Sequence, residues 1–428
     1  MDTVVDLSTD LATIILQVMF VIVQVISLVL IIYPTVIGFL GMGRKKASTL
    51  AAPQKRFAVL VCAHNEEQVV GQIVRNILKL DYPKELYDLY VICDNCTDHT
   101  ADVVRENGGI AMERHDVTKK GKGHGLEWMF RQLWKFEKEG TVYDAVVMFD
   151  ADNLVSKNFL QVMNSKLLEG HEVVQGYLDS KNPADSWITK SYAFAYWSTN
   201  RVYQLARDNM NLSAQIGGTG VVVTTDVLKT IGWGATSLTE DLEFTQRYII
   251  QTGKRVAWAH EAKIYDEKPL DMKASWKQRV RWMQGHAACM MKYGLPLLKE
   301  TLRTRSLLHF DALVYLISPS RIILTVLLVV FMAASLSGIK IADYGLNNIW
   351  VYAATTFMYV ALPFAGLLYE KKAGKMLWFF PTFIYSLTWY PIILLGFIKR
   401  NQNVWSHTEH TRAISEVDVE RLEKEAMA

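Results

Sequence analysis

Arg56-Phe-Ala-Val-Leu-Val-Cys62 is a short apolar run with a base in front of it. Its length and composition suit a strand buried on both faces, as in a parallel sheet, and Glu66 to Leu80 then carries helical apolar spacing. The alternation continues: Leu89 to Cys93, Ile110 to Arg114 and Ala145 to Phe149 read as strands, Thr97 to Asn107 and Leu126 to Lys138 as helices. Strands alternating with helices imply an α/β domain with a mostly parallel sheet and right-handed crossovers. In such domains ligands bind beyond the carboxyl ends of the strands.

The acidic residues fall at those ends. Asp94 and Asp98 follow one strand, and Asp150 and Asp152 follow another, inside Phe149-Asp-Ala-Asp-Asn153. Strand ends also take Asp for turns, so one such residue alone means little. Two carboxylates at i and i+2 after an apolar strand are hard oxygen ligands that suit Mg²⁺ or Mn²⁺ held jointly with a diphosphate. Between them, Lys119-Lys-Gly-Lys-Gly-His-Gly125 opens a helix with glycines and bases, a composition suited to binding an anion.

Further on, Ser237-Leu-Thr-Glu-Asp-Leu-Glu243 fits a capping box of Ser237 with Glu240, which puts Asp241 in the first turn of a helix. There the helix dipole favours a carboxylate, and a carboxylate can accept a proton. Gln278, Arg281 and Trp282 are spaced i, i+3, i+4, so an amide, a guanidinium and an indole share one helical face. A guanidinium offers phosphate a rigid fork of donors, and an indole stacks on a sugar ring.

Thr239-Glu240-Asp241 followed by Gln278-x-x-Arg281-Trp282 resembles the paired signature of the membrane-bound family 2 glycosyltransferases that make cellulose, hyaluronan and poly-N-acetylglucosamine. The resemblance covers nearly the whole chain and implies a GT-A-like nucleotide-sugar-binding domain flanked by transmembrane and interfacial helices. It implies an inverting transferase that uses a UDP-sugar to build and export a β-linked polysaccharide. The alternative is a transferase adding one sugar to a lipid carrier or glycolipid. A catalytically dead membrane scaffold is the reading against which the intact set Asp94, Asp150, Asp152, Asp241 and Arg281 weighs. In the resemblance Asp241 is the catalytic base, Asp152 ligates the metal, and Asp94, Lys122, Asp150 and Arg281 hold the nucleotide. Thr239, Glu240, Gln278 and Trp282 face the acceptor. Val91-Ile-Cys-Asp-Asn-Cys-Thr-Asp98 departs from the family's Asp-Gly-Ser-x-Asp turn, with Asn95 for Gly and Cys96 for Ser. Asn tolerates the left-handed backbone that Gly would adopt, so the turn is expected to survive. The resemblance also makes Gln175 to Asn182 and Ile216-Gly-Gly-Thr-Gly220 walls of the acceptor site.

Apolar distribution sets the domain plan. Leu11 to Leu40 is almost free of charge, and three more apolar runs follow Leu307: Leu308 to Leu336, Trp350 to Leu368 and Met376 to Ile398. Residues 1–45 are therefore read as a membrane anchor, 46–305 as the catalytic domain with interfacial helices from about 274, 306–399 as C-terminal membrane segments and 400–428 as a polar tail. Arg44, Lys45 and Lys46 behind the first run place that domain in the cytoplasm, facing a plasma membrane crossed several times. Three C-terminal crossings would put Lys399 and Arg400 outside, against the same rule, so one proline-broken segment is expected to be re-entrant or interfacial. Partners expected are the UDP-sugar, a growing glycan or lipid-linked acceptor, membrane lipids and an accessory membrane or export subunit.

A net charge of +3 over 428 residues, without a basic stripe and interleaved aromatics, argues against nucleic acid. Cys93-x-x-Cys96 lacks the second pair a zinc site needs, so the four cysteines are read as reduced packing residues. His260 and His286 are read as packing or hydrogen-bonding residues.

Overall fold

The computed structural model describes residues 2–43, 49–234, 237–336 and 349–402. Arg44, Lys45, Lys46, the polar interval before Trp350 and the tail with Trp405 lie outside the described residues.

The expected alternation forms β1 (Phe57–Ala63), β2 (Tyr87–Asp94), β3 (Ile110–Arg114) and β4 (Ala145–Asp150), followed by β5 (Leu154–Val155), β6 (Val173–Ser180), β7 (Val221–Thr224) and β8 (Ala257–Asp266). These make one eight-stranded sheet in the order β3-β2-β1-β4-β7-β6-β8-β5. Alternate residues of β1 enter opposite cores. Phe57, Val59 and Val61 pack with one apolar cluster, Ala58 and Leu60 with the other, which is why the strand reads as an unbroken apolar run.

The sheet is less parallel than expected. Pairs among β3, β2, β1 and β4 are parallel, as is β6 with β8, but β7 runs antiparallel to both β4 and β6, and β5 antiparallel to β8. After β6 the chain makes a long helical excursion through α6 (Trp187–Thr199) and α7 (Ala206–Asn209) and re-enters the sheet at the same carboxyl end it left, so β7 runs back against its neighbours. Ile216 to Gly220 is that re-entry. The earlier helices α2 (Val70–Ile77), α3 (Thr100–Glu106), α4 (Lys122–Lys138) and α5 (Phe159–Leu168) cover the sheet. Two of them begin later than their apolar spacing predicts. Before α2, Asn65 is left-handed at φ 55° and Glu66 donates its amide to Thr100 Oγ1 at 2.8 Å. Before α3, the Asp98 carboxylate accepts from the Thr100 amide at 3.1 Å, a local turn that competes with helix.

Beyond α8 (Thr225–Ile231) come α9 (Glu240–Thr252) and the 33-residue α10 (Met272–Thr304). The expected single segment Leu308 to Leu336 is broken at a 3₁₀ turn, Ser318–Ser320, into α11 (Leu307–Ile317) and α12 (Arg321–Leu336). α13 (Ile349–Tyr369) is continuous, whereas Met376 to Ile398 forms a 3₁₀ turn, Ala373–Trp378, then α14 (Phe379–Leu387) and α15 (Trp389–Ile398). With α1 (Asp2–Gly41), three stretches among the described residues are long and apolar enough to cross a membrane: Thr13–Gly41, Leu307–Leu327 and Ala373–Ile398.

Buried polar pairs fasten these helices to the sheet domain. Arg207 of α7 donates through Nε to both carboxylate oxygens of Asp311 in α11, at 3.1 and 3.0 Å. Glu370, just past α13, gathers His260 Nε2 at 3.1 Å, Arg201 Nη1 at 3.4 Å and the Tyr177 hydroxyl at 3.1 Å. His260 is thus a hydrogen-bonding residue, with Nδ1 accepting from Trp258 Nε1 at 3.0 Å. Removing the carboxylate strands its buried partners. Glu370→Ala is therefore expected to cost about 3 kcal/mol or more, and Glu370→Gln clearly less, read as denaturant midpoints of the detergent-solubilised protein. Equal midpoints for Glu370→Ala and the parent would show that this junction carries no stability.

Candidate active site

The carboxyl ends of β1, β2 and β4 open into a cleft of about 620 Å³ whose far wall is made by the start of α9 and the first half of α10. All ten residues singled out in the sequence line it: Asp94, Lys122, Asp150, Asp152, Thr239, Glu240, Asp241, Gln278, Arg281 and Trp282.

Asp94 ends β2 and stands in register with Arg114, the last residue of β3, whose buried guanidinium grips Asp94 Oδ1. Sequence reading missed Arg114. Its only signal was position, a base closing the strand beside an acidic strand end. Asn95 is left-handed at φ 53°, as its chemistry allows, and its side chain fixes the turn by accepting from the Asp116 amide at 2.8 Å and donating to Asp94 Oδ1 at 3.0 Å. The turn survives the loss of glycine.

Lys122, the first residue of α4, reaches across to Asp150 Oδ1 and to the Gly218 carbonyl at 2.6 Å. Burial works to lower the Lys122 pKa, but the Asp150 carboxylate, joined by Cys62 and Glu240, holds the ammonium above its ordinary value. The Ile216–Gly220 turn thus touches Lys122. It touches Asp241 too: Gly218 has φ 83°, and a Cβ there would lie 3.4 Å from Asp241 Oδ2.

Asp152 accepts from the Glu267 amide at 3.0 Å and from Asn153 Nδ2 at 3.2 Å. Beside it, Asp266 ends β8 with Oδ2 bound to Lys268 Nζ at 2.7 Å, while Oδ1 is buried without a hydrogen-bond partner. Burial raises the Asp266 pKa against the pull of Lys268, and the charges of Asp152 and Asp150 add to the rise. Among the described residues no three acidic, thiol or imidazole side chains converge closely enough to hold a metal by themselves.

Asp241 stands in the first turn of α9, as expected, but the capping box does not form. Thr239 is the N-cap, without a side-chain cap bond, and Ser237 lies two residues earlier, where its hydroxyl accepts from the Cys289 thiol at 3.9 Å. The Thr239 side chain is turned toward α10 instead of the helix amides: a Cβ on Gly285 would lie 2.3 Å from Thr239 Oγ1. Glu240, freed of capping, lines the cleft. Burial pushes its carboxyl up to about 7, and the neighbouring charge of Asp241 adds to the rise. Burial raises Asp241 as well, against the Leu242 amide and Lys122.

Asp271 caps α10 by accepting from the Ala274 amide at 2.9 Å. Gln278, Arg281 and Trp282 share the face toward the cleft, and Arg281 makes no ion pair or hydrogen bond with the described residues. His286 lies deeper, bonded through Nε2 to the Leu316 carbonyl at 2.9 Å, and burial lowers its pKa to about 4. It is neutral at ordinary pH. The cysteines are free thiols; Cys93 is buried in the sheet core and Cys289 behind Thr239.

This combination of a mixed α/β sheet and a strand-end cleft is the GT-A architecture of glycosyltransferases. The structure resembles that of a mannosyltransferase from Pyrobaculum calidifontis, solved with GDP-Man and Mn²⁺, at a TM-score of 0.55 and 18% identity, covering 89% of this chain and 99% of that one. That likeness is one of fold. A model of the family described as "Glycosyltransferase like family 2" matches residues 53–285, more than half of the 428 residues, and the chain belongs to that family. Among curated relatives it is 27% identical over 251 residues to a probable glycosyltransferase of Bacillus subtilis (56% of this chain, 57% of the relative). It is 26% identical over 271 residues to a beta-monoglucosyldiacylglycerol synthase of Nostoc (61% and 55%). It is also 22% identical over 346 residues to a poly-beta-1,6-N-acetyl-D-glucosamine synthase of Staphylococcus epidermidis (78% and 79%). Thus the chain spans little more than half the length of the first two relatives.

The raised Glu240 value has a consequence for stability. Folding takes up a proton there between 4.5, the ordinary value, and about 7. The associated stability is complete at low pH and lost as pH rises through 7. Glu240→Gln stays neutral throughout, so its melting temperature is expected to gain on the parent's as pH rises from about 5 to about 8. Parallel curves for the two proteins would show that Glu240 is not held neutral by the fold.

Proposed function

We propose that this chain is an inverting glycosyltransferase that takes a sugar from a UDP-sugar at the cytoplasmic face of the plasma membrane and adds it to the end of a growing β-linked glycan destined for export. The observation that carries this reading is the facing of two sets across one cleft: strand-end carboxylates with their bases on one wall, and Asp241 with Gln278, Arg281 and Trp282 on the other. A volume of about 620 Å³ is in the range of small-ligand sites, and family membership supports sugar transfer.

The Asp94 turn, fixed by Arg114 and Asn95, would take the nucleobase. Lys122 and Arg281, which has no ion pair among the described residues, would take the diphosphate, Arg281 through its planar fork. A divalent cation fits beside them. Mg²⁺ and Mn²⁺ sites of this type use one or two carboxylates plus substrate phosphates, which suits a cleft where Asp150 and Asp152 meet and Asp266 keeps an uncommitted oxygen. A bound cation would neutralise charge on the departing diphosphate. Asp241 would deprotonate the acceptor hydroxyl, with Glu240 neutral beside it. Attack on the anomeric carbon from the face opposite the diphosphate inverts the linkage. Trp282 would stack on the acceptor sugar.

Two observations divide the acceptor question. The match to the polysaccharide synthase runs through 78% of this chain and so beyond residues 53–285, into the apolar helices. The glycolipid synthase is more alike per residue, at 26% against 22%, but over less of the chain. The second reading is accordingly transfer of one sugar to a lipid. Incubating the purified protein with UDP-glucose or UDP-N-acetylglucosamine and sizing the product separates the two, and absence of UDP release with every UDP-sugar would sink both.

Asp241→Asn keeps size and helix position but cannot take a proton, so turnover should fall by about 10²–10⁴-fold with UDP affinity nearly unchanged. Glu240→Gln should cost less. Parent-like turnover by Asp241→Asn beside a dead Glu240→Gln would assign the base to Glu240. Asp152→Ala and excess EDTA should each abolish turnover while circular dichroism stays native, because the diphosphate's charge is then uncompensated. Full activity in EDTA would refute the metal.

A further inference from the structure

Gln278 is not free to turn. Tyr192, a buried residue of α6, donates its hydroxyl to Gln278 Oε1 at 2.9 Å. The same hydroxyl lies 3.2 Å from Ser275 Oγ, and Ser275 Oγ lies 2.8 Å from the hydroxyl of Tyr385 in α14. An amide carbonyl only accepts, so the single Tyr192 hydrogen is committed to Gln278. Ser275 must then donate to Tyr192, and Tyr385 to Ser275. The four side chains form one directed run of hydrogen bonds from the C-terminal apolar segment to the cleft, each bond polarising the next. The Tyr192 ring also meets the Trp282 indole edge to face, with centroids 6.4 Å apart and planes at 87°, and packs on Tyr385 at 5.4 Å.

Two consequences follow for Gln278 and Trp282. With its carbonyl held by Tyr192, Gln278 is left to present its amide N–H groups to the cleft, which suits an oxygen of the acceptor. The indole on the next turn is braced by the same ring.

We infer that Tyr192 is a positioning residue for the acceptor, fixing Gln278 as a hydrogen-bond donor and Trp282 as a stacking face, and that Tyr385 extends this control to the helix Phe379–Leu387. The inference rests on the proposed acceptor role of Gln278 and Trp282. On the nucleotide side, Lys268, the partner of Asp266, lies 5.8 Å from the centroid of the Tyr192 ring, a contact that loss of the hydroxyl alone leaves in place.

The test uses the full-length protein in detergent with UDP-N-acetylglucosamine and a β-1,6-linked N-acetylglucosamine trisaccharide, and with UDP-glucose and dioctanoylglycerol. Transfer to the acceptor and hydrolysis of the donor by water are measured side by side on whichever pair reacts. Tyr192→Phe keeps the ring and removes only the hydroxyl. It is expected to raise the acceptor KM about tenfold, the loss of one hydrogen bond of about 1.4 kcal/mol, and to leave donor hydrolysis and UDP affinity unchanged. Tyr385→Phe should raise the same KM by a smaller factor, and the double variant should match Tyr192→Phe alone, because the run ends at Gln278. Equal loss of transfer and hydrolysis in Tyr192→Phe would make Tyr192 merely structural and overturn the inference, as would an unchanged acceptor KM or additive effects of the two tyrosines. Gln278→Ala distinguishes the levels. If it too leaves the acceptor KM unchanged, the acceptor role of this face fails and the inference with it; if it raises KM while Tyr192→Phe does not, only the inference fails.

Discussion

Helix α10 can stand against the start of α9 only because position 285 has no side chain. A Cβ there would lie 2.3 Å from Thr239 Oγ1 and 2.8 Å from Thr239 Cβ, well inside contact distance. Two residues before, and so on another side of α10, α15 closes on the same helix in the same way, since a Cβ on Gly396 would lie 2.4 Å from Met283 Cβ. α10 is therefore wedged between two glycine contacts that fix its rotation. Successive residues on a helix are about 100° apart, so a slip of one residue would carry Gln278, Arg281 and Trp282 off the cleft. Steric fit sets the relation between Asp241 and that face, together with Glu243 of α9, which accepts from Lys292 and Tyr293 of α10 at 2.6 and 2.8 Å.

Charge is arranged differently on the opposite wall. Asp94 is paired with Arg114, Asp150 with Lys122 and Asp266 with Lys268, while Asp152 is tied to a backbone amide. Such pairs offset the desolvation of their members and add little net stability. What they provide is placement. Each base holds a carboxylate at a strand end, and Lys122 also locks the Gly218 turn beneath Asp241. Glu240 and Asp241 have no such base in direct contact, and both are displaced toward the neutral form. The strand-end acids are thus held in place by bases, while the two acids at the start of α9 are shifted by burial toward accepting a proton.

The parallel half of the sheet was legible because a strand buried on both faces leaves an unbroken apolar run, and Ile110–Arg114 was located to the residue. β7 was not, because direction within a sheet leaves no mark on a four-residue apolar strand; only the long excursion after β6 reverses it. The residues lining the cleft were legible from five short motifs and their order: the Asp94 turn, the Lys122 segment, Asp150-x-Asp152, Thr239-Glu-Asp241 and Gln278-x-x-Arg281-Trp282. The capping box was misread because Ser-x-x-Glu fits many helix starts, and here the Thr239 side chain is drawn to the groove over Gly285. Arg114 and Tyr192 are not legible because their partners are 20 and 86 positions away, and Asp266 because only the fold brings it beside Asp152 in the cleft.

The same limit governs the C-terminal segments. Counted as charge and hydropathy, Met376 to Ile398 is a third crossing that strands Lys399 and Arg400 on the wrong side. Folded, it is two helices of nine and ten residues behind a 3₁₀ turn, joined directly at Thr388 into a stretch still long and apolar enough to cross a membrane. One side of the pair is bound to the sheet domain: Arg279 lies over the rings of Tyr385 and Trp389, at 4.0 and 5.0 Å, and donates to Thr388 Oγ1 at 2.7 Å. Phe380, Phe383, Ile384 and Leu387 form the exposed stripe of α14, at the i, i+3, i+4, i+7 spacing of an interfacial helix. Read as lying in the interface, the segment keeps Lys371, Lys372, Lys375, Lys399 and Arg400 on one side of the membrane, and the charge rule is obeyed without a further crossing. The opposite side of α14 carries Tyr385, hydrogen-bonded to Ser275 of α10, so this apolar helix is tied to the same long helix that lines the cleft.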